Sequence, residues 1–197
     1  RRLKLRRREY FIVSMHREEN VDSRERLSVL VDTLNEIAER YDYPVIVSTH
    51  PRTRQKLDTL GRGFHGNVHD VKPLGFHDYN YLQMNAFCAI SDSGTIAEEA
   101  SILGFPAITP RDAIERPEGL DVGALIMTGL DRGAMLSGIE AITQAFSERE
   151  AAGLPQLLPG DYRIHNTSER VVNLILGTAR LSNAGDGIRD LRGQNGG

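Results

Sequence analysis

Two rhythms of apolar and polar residues alternate along the chain. Tyr10-Phe11-Ile12-Val13-Ser14-Met15, Val45-Ile46-Val47-Ser48, Phe87-Cys88-Ala89-Ile90 and Ala107-Ile108-Thr109 are short continuous apolar runs, with weaker ones at Val68-His69-Asp70-Val71 and Leu125-Ile126-Met127. Apolar runs this short, lacking a polar face, predict strands buried on both sides. Between the first two, Leu27, Leu30, Val31, Leu34, Ile37 and Ala38 recur at helical spacing and predict an amphipathic helix over 23–41. Asp22-Ser23-Arg24-Glu25 resembles a capping box at its start, and Tyr43-Pro44 ends it. Further helices are expected at 53–60, 78–85, Thr95–Leu103 (closed by Gly104 at a C′ position), about 132–148 and 166–181. Buried strands alternating with helices predict an α/β fold: a doubly wound parallel sheet, Rossmann-like, with helices on both faces.

Ligands of such sheets bind beyond the carboxyl ends of the strands. Four polar clusters directly follow predicted strands: His16-Arg17-Glu18-Glu19-Asn20, Ser48-Thr49-His50-Pro51-Arg52, Ser91 to Thr95, and Pro110-Arg111. If the strands are parallel, all four converge on one rim. The third is the most informative. Ser91-Asp92-Ser93-Gly94-Thr95 is a small-residue turn into a helix, where backbone N–H groups favour an anion. Glu99 lies four residues after Thr95, on the same helical face, as a carboxylate acceptor for vicinal hydroxyls such as those of ribose. Arg116, in Glu115-Arg116-Pro117-Glu118-Gly119, offers a planar fork of donors suited to phosphate. Together they suit a nucleoside diphosphate.

Composition narrows the partners. The 197 residues suffice for one α/β domain, expected over 10–182 between a basic linker at 1–9 and a flexible glycine-rich tail at 183–197. A formal net charge of -3 gives no general pull toward nucleic acid. The six basic side chains among Arg1 to Arg8 have no interleaved aromatic residue for stacking bases, and read as a solvated linker. No apolar stretch approaches the ~20 residues of a membrane span, and a secretory leader pattern is missing. The single cysteine, Cys88, sits in an apolar run, reads as a buried small hydrophobe, and suits a reducing, cytoplasmic setting. His65 and His69 are four apart, but Gly66 between them argues against a helical metal pair, so neither metal nor cofactor is expected.

The motifs His16-Arg17-x-Glu19-Asn20, His50-Pro51, Pro73-Leu74 with Tyr79, Ser91-Asp92-Ser93-Gly94 with Glu98-Glu99, and Glu115-Arg116-Pro117-Glu118-Gly119 resemble, in order and spacing, the non-hydrolysing UDP-N-acetylglucosamine 2-epimerases. The resemblance implies one half of a GT-B-like enzyme of two Rossmann-like domains, namely the C-terminal, UDP-binding half. It implies that Ser93, Gly94 and Thr95 cradle the diphosphate, that Glu99 binds the ribose, and that Arg116 contacts the diphosphate or neighbouring groups. Tyr79 and the backbone near Leu74 would lie by the uracil. His16 would face the leaving UDP as the catalytic residue of this half, with Arg17, Glu19, His50, Glu98 and Glu118 in support. The implied reaction expels UDP, leaves a 2-acetamidoglucal, and adds UDP back; the acid–base carboxylates belong to the other half. The implied partners are UDP, a UDP-N-acetyl-hexosamine, the missing N-terminal domain and a second copy in a homodimer. Two positions depart from the pattern. Thr95 stands where most members have a second glycine, which a negative φ would tolerate, and Arg52 replaces the asparagine of His-Pro-Asn. The rival readings are the donor-nucleotide domain of a GT-B glycosyltransferase and a binding module without chemistry. A serine hydrolase is disfavoured because Ser93 has no obvious adjacent base.

Overall fold

A computed structural model of the protein describes residues 4–179 and Leu181. It divides into two units, Arg1–Pro159 and Gly160–Gly197. The first unit holds six parallel strands: β1 (Phe11–Ser14), β2 (Val45–Ser48), β3 (Val68–Val71), β4 (Cys88–Ser91), β5 (Ala107–Thr109) and β6 (Ile126–Met127). Their order in the sheet is β3-β2-β1-β4-β5-β6. The order reverses between β1 and β4, which makes a topological switch point, the usual crevice for a nucleotide. The second unit holds a 3-10 turn at Gly160–Arg163 and helix α8 (Thr167–Thr178).

Alternate strand residues build two cores, as expected when both faces are covered. Phe11, Val13, Val45, Val47, Cys88 and Ile90 pack with Leu30, Leu34 and Ile37 of α2 (Arg24–Tyr41) and with Met135 and Ile139 of α7 (Arg132–Ala151). Ile12, Ile46, Ala89 and Ala107 pack on the other face with Ile96, Ala97 and Ala100 of α5 (Ile96–Leu103). Ile12, Ile37, Ile46 and Ile90 are fully buried, each stabilising the fold by roughly 1.5–3 kcal/mol relative to exposure.

Helix ends follow local chemistry and shift several expected boundaries. Ser23 caps α2 by accepting from the Arg26 amide (3.2 Å). The expected reciprocal box does not close: the Glu25 carboxylate accepts from its own backbone amide and from the Ser23 hydroxyl (2.8 Å), not from the Ser23 amide. Asp42, left-handed at φ 51°, ends α2 before Tyr43-Pro44. α3 (Pro51–Leu60) starts at Pro51 rather than 53, because a proline suits the first helical position and His50 caps it. α4 (Phe76–Asn85) also starts earlier than the pattern, and α7 runs on to Ala151. Gly104 closes α5 at φ 66° as predicted. Two short helices escaped the reading: α1 (Glu18–Val21) and α6 (Glu118–Asp121), each four residues long. One turn is too short for a helical period to show.

The basic arm is partly seated. The Arg8 amide donates to Asn85 O (2.8 Å), its Nη1 donates to Ala86 O (2.8 Å), and its guanidinium lies 4.7 Å from the centre of the Phe146 ring. Residues 1–3 and the expected tail at 183–197 lie outside the described residues.

Candidate functional site

The site begins with register. β1 and β4 pair Phe11 with Cys88 through to Ser14 with Ser91, so their loops leave the sheet side by side. The Asp92 amide donates to Ser14 O (3.2 Å). The Asp92 side chain, 0% exposed, then ties the two loops together. It accepts from the His16 amide (3.1 Å to each oxygen), the Arg17 amide (3.0 Å) and Asn20 Nδ2 (3.1 Å). A buried carboxylate is tolerable only when so satisfied. His16 Nδ1 lies 3.2 Å from Asp92 Oδ1, while the imidazole side chain remains 53% exposed. Arg17 Nε donates to Asp92 O (3.0 Å). Buried Asn20 accepts from Arg26 Nη2 (2.8 Å), and that guanidinium also meets Asp112 (3.0 Å), so the loop after β5 is held to α2.

The turn into α5 is stitched by small hydroxyl residues. The Ser93 amide donates to Ser91 Oγ (3.1 Å), and the Thr95 amide to Ser93 Oγ (3.3 Å). Thr95 has φ −97°, so the β-branched residue sits without strain where a glycine was expected. Its hydroxyl donates to Glu99 Oε1 (2.7 Å), while buried Gln83 of α4 donates Nε2 to Glu99 Oε2 (2.9 Å). Glu98 turns the other way and pairs with Arg116 Nη1 (2.5 Å). Thr95, at the N-cap of α5, makes no side-chain cap bond.

Arg116 Nη2 donates to Gly94 O (3.1 Å). A Cβ placed on Gly94 would lie 3.5 Å from Arg116 Nη2 and 3.6 Å from Arg17 Nη2. Two guanidinium groups from two loops therefore flank one turn. Ser93, Gly94, Thr95, Glu98, Glu99, Arg116, Arg17 and His16 come together at the switch point. Tyr79 lies in the first turn of α4, where its amide donates to Gly75 O (2.9 Å). Burial pushes its hydroxyl up to about 12, countered by the neighbouring Ser14 and Ser91 hydroxyls at the ends of β1 and β4. Leu74 packs beside it on the α5 side of the core. Glu118 opens α6 half-buried. His50 and Glu19 are exposed. His50 accepts from the Arg52 amide (3.4 Å), and no hydrogen bond or ion pair joins either residue to the Gly94 turn among the described residues.

Three residues matter more than the spacing suggested. Asp92 reads as a turn residue until its burial is seen. Arg111, 2% exposed, donates Nη2 to both oxygens of Glu115 (2.8 and 3.0 Å), the residue before Arg116. That bond, then the Glu115 backbone amide and the nearby Arg17 charge, hold the Glu115 carboxyl down at about 2. Gly119 lets α6 sit against α5: a Cβ there would be 3.0 Å from Leu125 Cδ2 and 3.1 Å from Ala97 Cβ. Cys88 is buried and its thiol is pushed up by desolvation, as its apolar setting predicted. No group of three His, Cys, Asp or Glu suited to a metal occurs among the described residues. Nor is any described helix long and apolar enough to cross a membrane.

The whole pattern has relatives. A family model for UDP-N-acetylglucosamine 2-epimerase matches residues 1–176. The UDP-N-acetylglucosamine 2-epimerase of Methanocaldococcus jannaschii is 38% identical over 136 residues, covering 67% of this chain and 37% of that protein. That of Methanococcus maripaludis is 38% identical over 140 residues, covering 69% and 38%. Among solved structures, the Rickettsia bellii UDP-N-acetylglucosamine 2-epimerase superposes with TM-score 0.74 at 37% identity, covering 91% of this chain and 47% of that one. The Methanocaldococcus jannaschii enzyme in complex with UDP-GlcNAc and UDP gives 0.71 at 32% identity, covering 85% and 45%. The chain thus spans less than half the length of these relatives.

Proposed function

The chain belongs to the UDP-N-acetylglucosamine 2-epimerase family, and from that premise we propose that it is the UDP-gripping half of a two-domain nucleotide-sugar 2-epimerase. The carrying observation is the convergence on Gly94 of Arg17 from the loop after β1 and Arg116 from the loop after β5. Two guanidinium groups at a helix-starting turn, at the switch point, suit a pyrophosphate. In this reading Ser93, Gly94 and Thr95 seat the diphosphate and Glu99 takes the ribose hydroxyls. Tyr79 and Leu74 border the uracil, and His16 meets the leaving group. His50, Glu19, Glu98 and Glu118 support the rim, with Glu98 holding Arg116 until the nucleotide arrives.

The chemistry assigned to the full enzyme removes the proton at C2 of the sugar as the C1–O bond breaks. The electron pair of that bond leaves with UDP, and a 2-acetamidoglucal remains. Return of the proton to the opposite face of C2, with re-addition of UDP at C1, gives the epimer. This half lowers the barrier by stabilising charge on the departing diphosphate. The acid–base carboxylates belong to the other half, so the 197-residue chain alone is expected to bind UDP and not to turn over UDP-N-acetylglucosamine. A homodimer of the full enzyme and a cytoplasmic setting belong to the same proposal.

Calorimetry with UDP tests the reading. Binding by the chain, weakened on the order of tenfold or more by Glu99→Ala and by Arg116→Ala, is the expected result; each variant removes a hydrogen bond to or from a charged group. Equal binding by all three proteins, or none by the parent, overturns it.

A further inference from the structure

We propose that Gln83 is a positioning residue that sets selectivity for ribose: from within α4 it fixes the Glu99 carboxylate in the orientation that receives a vicinal diol. The inference deepens the UDP-gripping reading and rests on it for the ligand, while the bond to Glu99 stands on geometry alone.

Gln83 is 1% exposed, and its Nε2 donates to Glu99 Oε2 at 2.9 Å. An ionised carboxylate only accepts, so the amide must turn its NH2 group toward it. The opposite flip would set one oxygen against another. The required orientation leaves Gln83 Oε1 buried with no hydrogen-bond partner among the described residues. An orphaned buried oxygen is destabilising, and native structures keep few of them. Packing does not account for the choice of residue, since a methionine or a leucine would fill the position without that penalty. The bond to Glu99 does account for it.

The helix around Gln83 is held still. Tyr10, 2% exposed, donates its hydroxyl to Leu82 O (2.6 Å). Asn85 O accepts from the Arg8 amide and Ala86 O from Arg8 Nη1, each at 2.8 Å. Three main-chain carbonyls beside Gln83 are thus tied to the segment that enters β1. Tyr79 lies four residues before Gln83, on the same helical face. The side of α4 assigned to the uracil therefore also braces the carboxylate assigned to the ribose.

The second holder of Glu99 differs in kind. Thr95, which is exposed, donates its hydroxyl to Oε1 (2.7 Å). It sits at the rim, where a ligand hydroxyl can exchange with it; buried Gln83 stays. A carboxylate has about four acceptor sites, so both oxygens keep room for a 2′,3′-diol. Because Glu99 is already ordered, little rotamer freedom is lost when the nucleotide arrives, an advantage of about threefold to tenfold in affinity.

The test is calorimetry on the 197-residue chain and on Gln83→Met, a near-isosteric change that removes both the donor and the orphaned oxygen. Three ligands are compared: UDP, 2′,3′-dideoxy-UDP and inorganic pyrophosphate. Gln83→Met is expected to weaken UDP about threefold to tenfold and to bind the other two as the parent does. Equal weakening of all three marks a merely structural role and overturns the inference. An unchanged preference for UDP over the dideoxy nucleotide overturns it as well. NMR of the side-chain amides gives a reading that does not depend on the folding of Gln83→Met. The Gln83 Nε2 protons should exchange slowly with solvent in the parent, with and without UDP, and faster in Glu99→Ala. Exchange in the parent as fast as in an exposed glutamine overturns the inference. A parent that fails to bind UDP overturns the UDP-gripping reading and the ribose role together; a parent that binds UDP beside a variant with the same preference overturns the role of Gln83 alone.

Discussion

Gly119→Ala tests whether the seat of α6 governs the arginine that precedes it. The added methyl would lie 3.0 Å from Leu125 Cδ2, 3.1 Å from Ala97 Cβ and 3.3 Å from Ala97 O. None of these neighbours yields easily. Leu125 is 2% exposed and packed, and Ala97 O, on α5, accepts from the Ser101 hydroxyl at 2.7 Å. Overpacking of this kind costs about 1–3 kcal/mol. Against it stands the gain from replacing glycine in a helix, about 0.5–1 kcal/mol, and less at the second residue of a single turn. The clash wins, with a net loss of about 1–2 kcal/mol, or a midpoint lowered by about 3–6 °C in a chain of this size. Because Arg116 lies three residues before Gly119, displacement of α6 draws its Nη2 off Gly94 O and weakens UDP as well. Thermal unfolding of Gly119→Ala beside Gly66→Ala, where an added Cβ meets nothing within 4 Å, checks the reasoning. A Gly119→Ala midpoint equal to or above the parent's would refute it.

Gly94→Ala makes the complementary case: its Cβ would meet only flexible guanidinium tips at 3.5 and 3.6 Å, so unfolding should be unchanged while UDP affinity falls, both read on one sample. Glu115→Gln should cost stability in a pH-dependent way. Its carboxyl lies at about 2 in the folded chain against an ordinary value of 4.5, a depressed value, so the contribution is present above about 4.5 and disappears as pH falls through about 2. Urea unfolding of parent and Glu115→Gln should therefore differ at neutral pH and converge in acid; a constant difference would contradict the Arg111 latch. Cys88, buried with its thiol pushed upward, should react with a thiol reagent only as the chain unfolds, so rapid labelling of the native protein would show the strand packing to be misread.

What the sequence revealed and what it hid have physical causes. β1, β2, β4 and β5 were legible because both faces of each are buried, which leaves uninterrupted apolar runs. The Ser93-Gly94-Thr95 turn into α5 was legible because its residues are small, and the contact of Glu99 with Thr95 because the two share a helical face. Asp92 was hidden because burial of a carboxylate depends on donors from Asn20 and the His16 loop, more than seventy positions away in the chain. Arg111 was hidden because its role runs through Glu115 rather than to a ligand. Gly119 carries no sign that α5 lies against it. The boundaries of α3 and α4 moved because caps, not periodicity, decide where a helix starts.

Both oxygens of Glu99 are already engaged, one by Thr95 and one by Gln83. A carboxylate offers about four acceptor sites, so a diol of the proposed ribose would share Glu99 with its resident donors or replace one of them. The Thr95 hydroxyl is the more exposed of the two, and it already lies 3.0 Å from Ser93 Oγ, beside the seat proposed for the diphosphate. In the proposed nucleotide site, displacement of the Thr95 hydroxyl from Glu99 would free it toward the diphosphate end. A single rotating O–H would make the two subsites report on each other, and a nucleotide lacking its 2′-oxygen would lose grip at both.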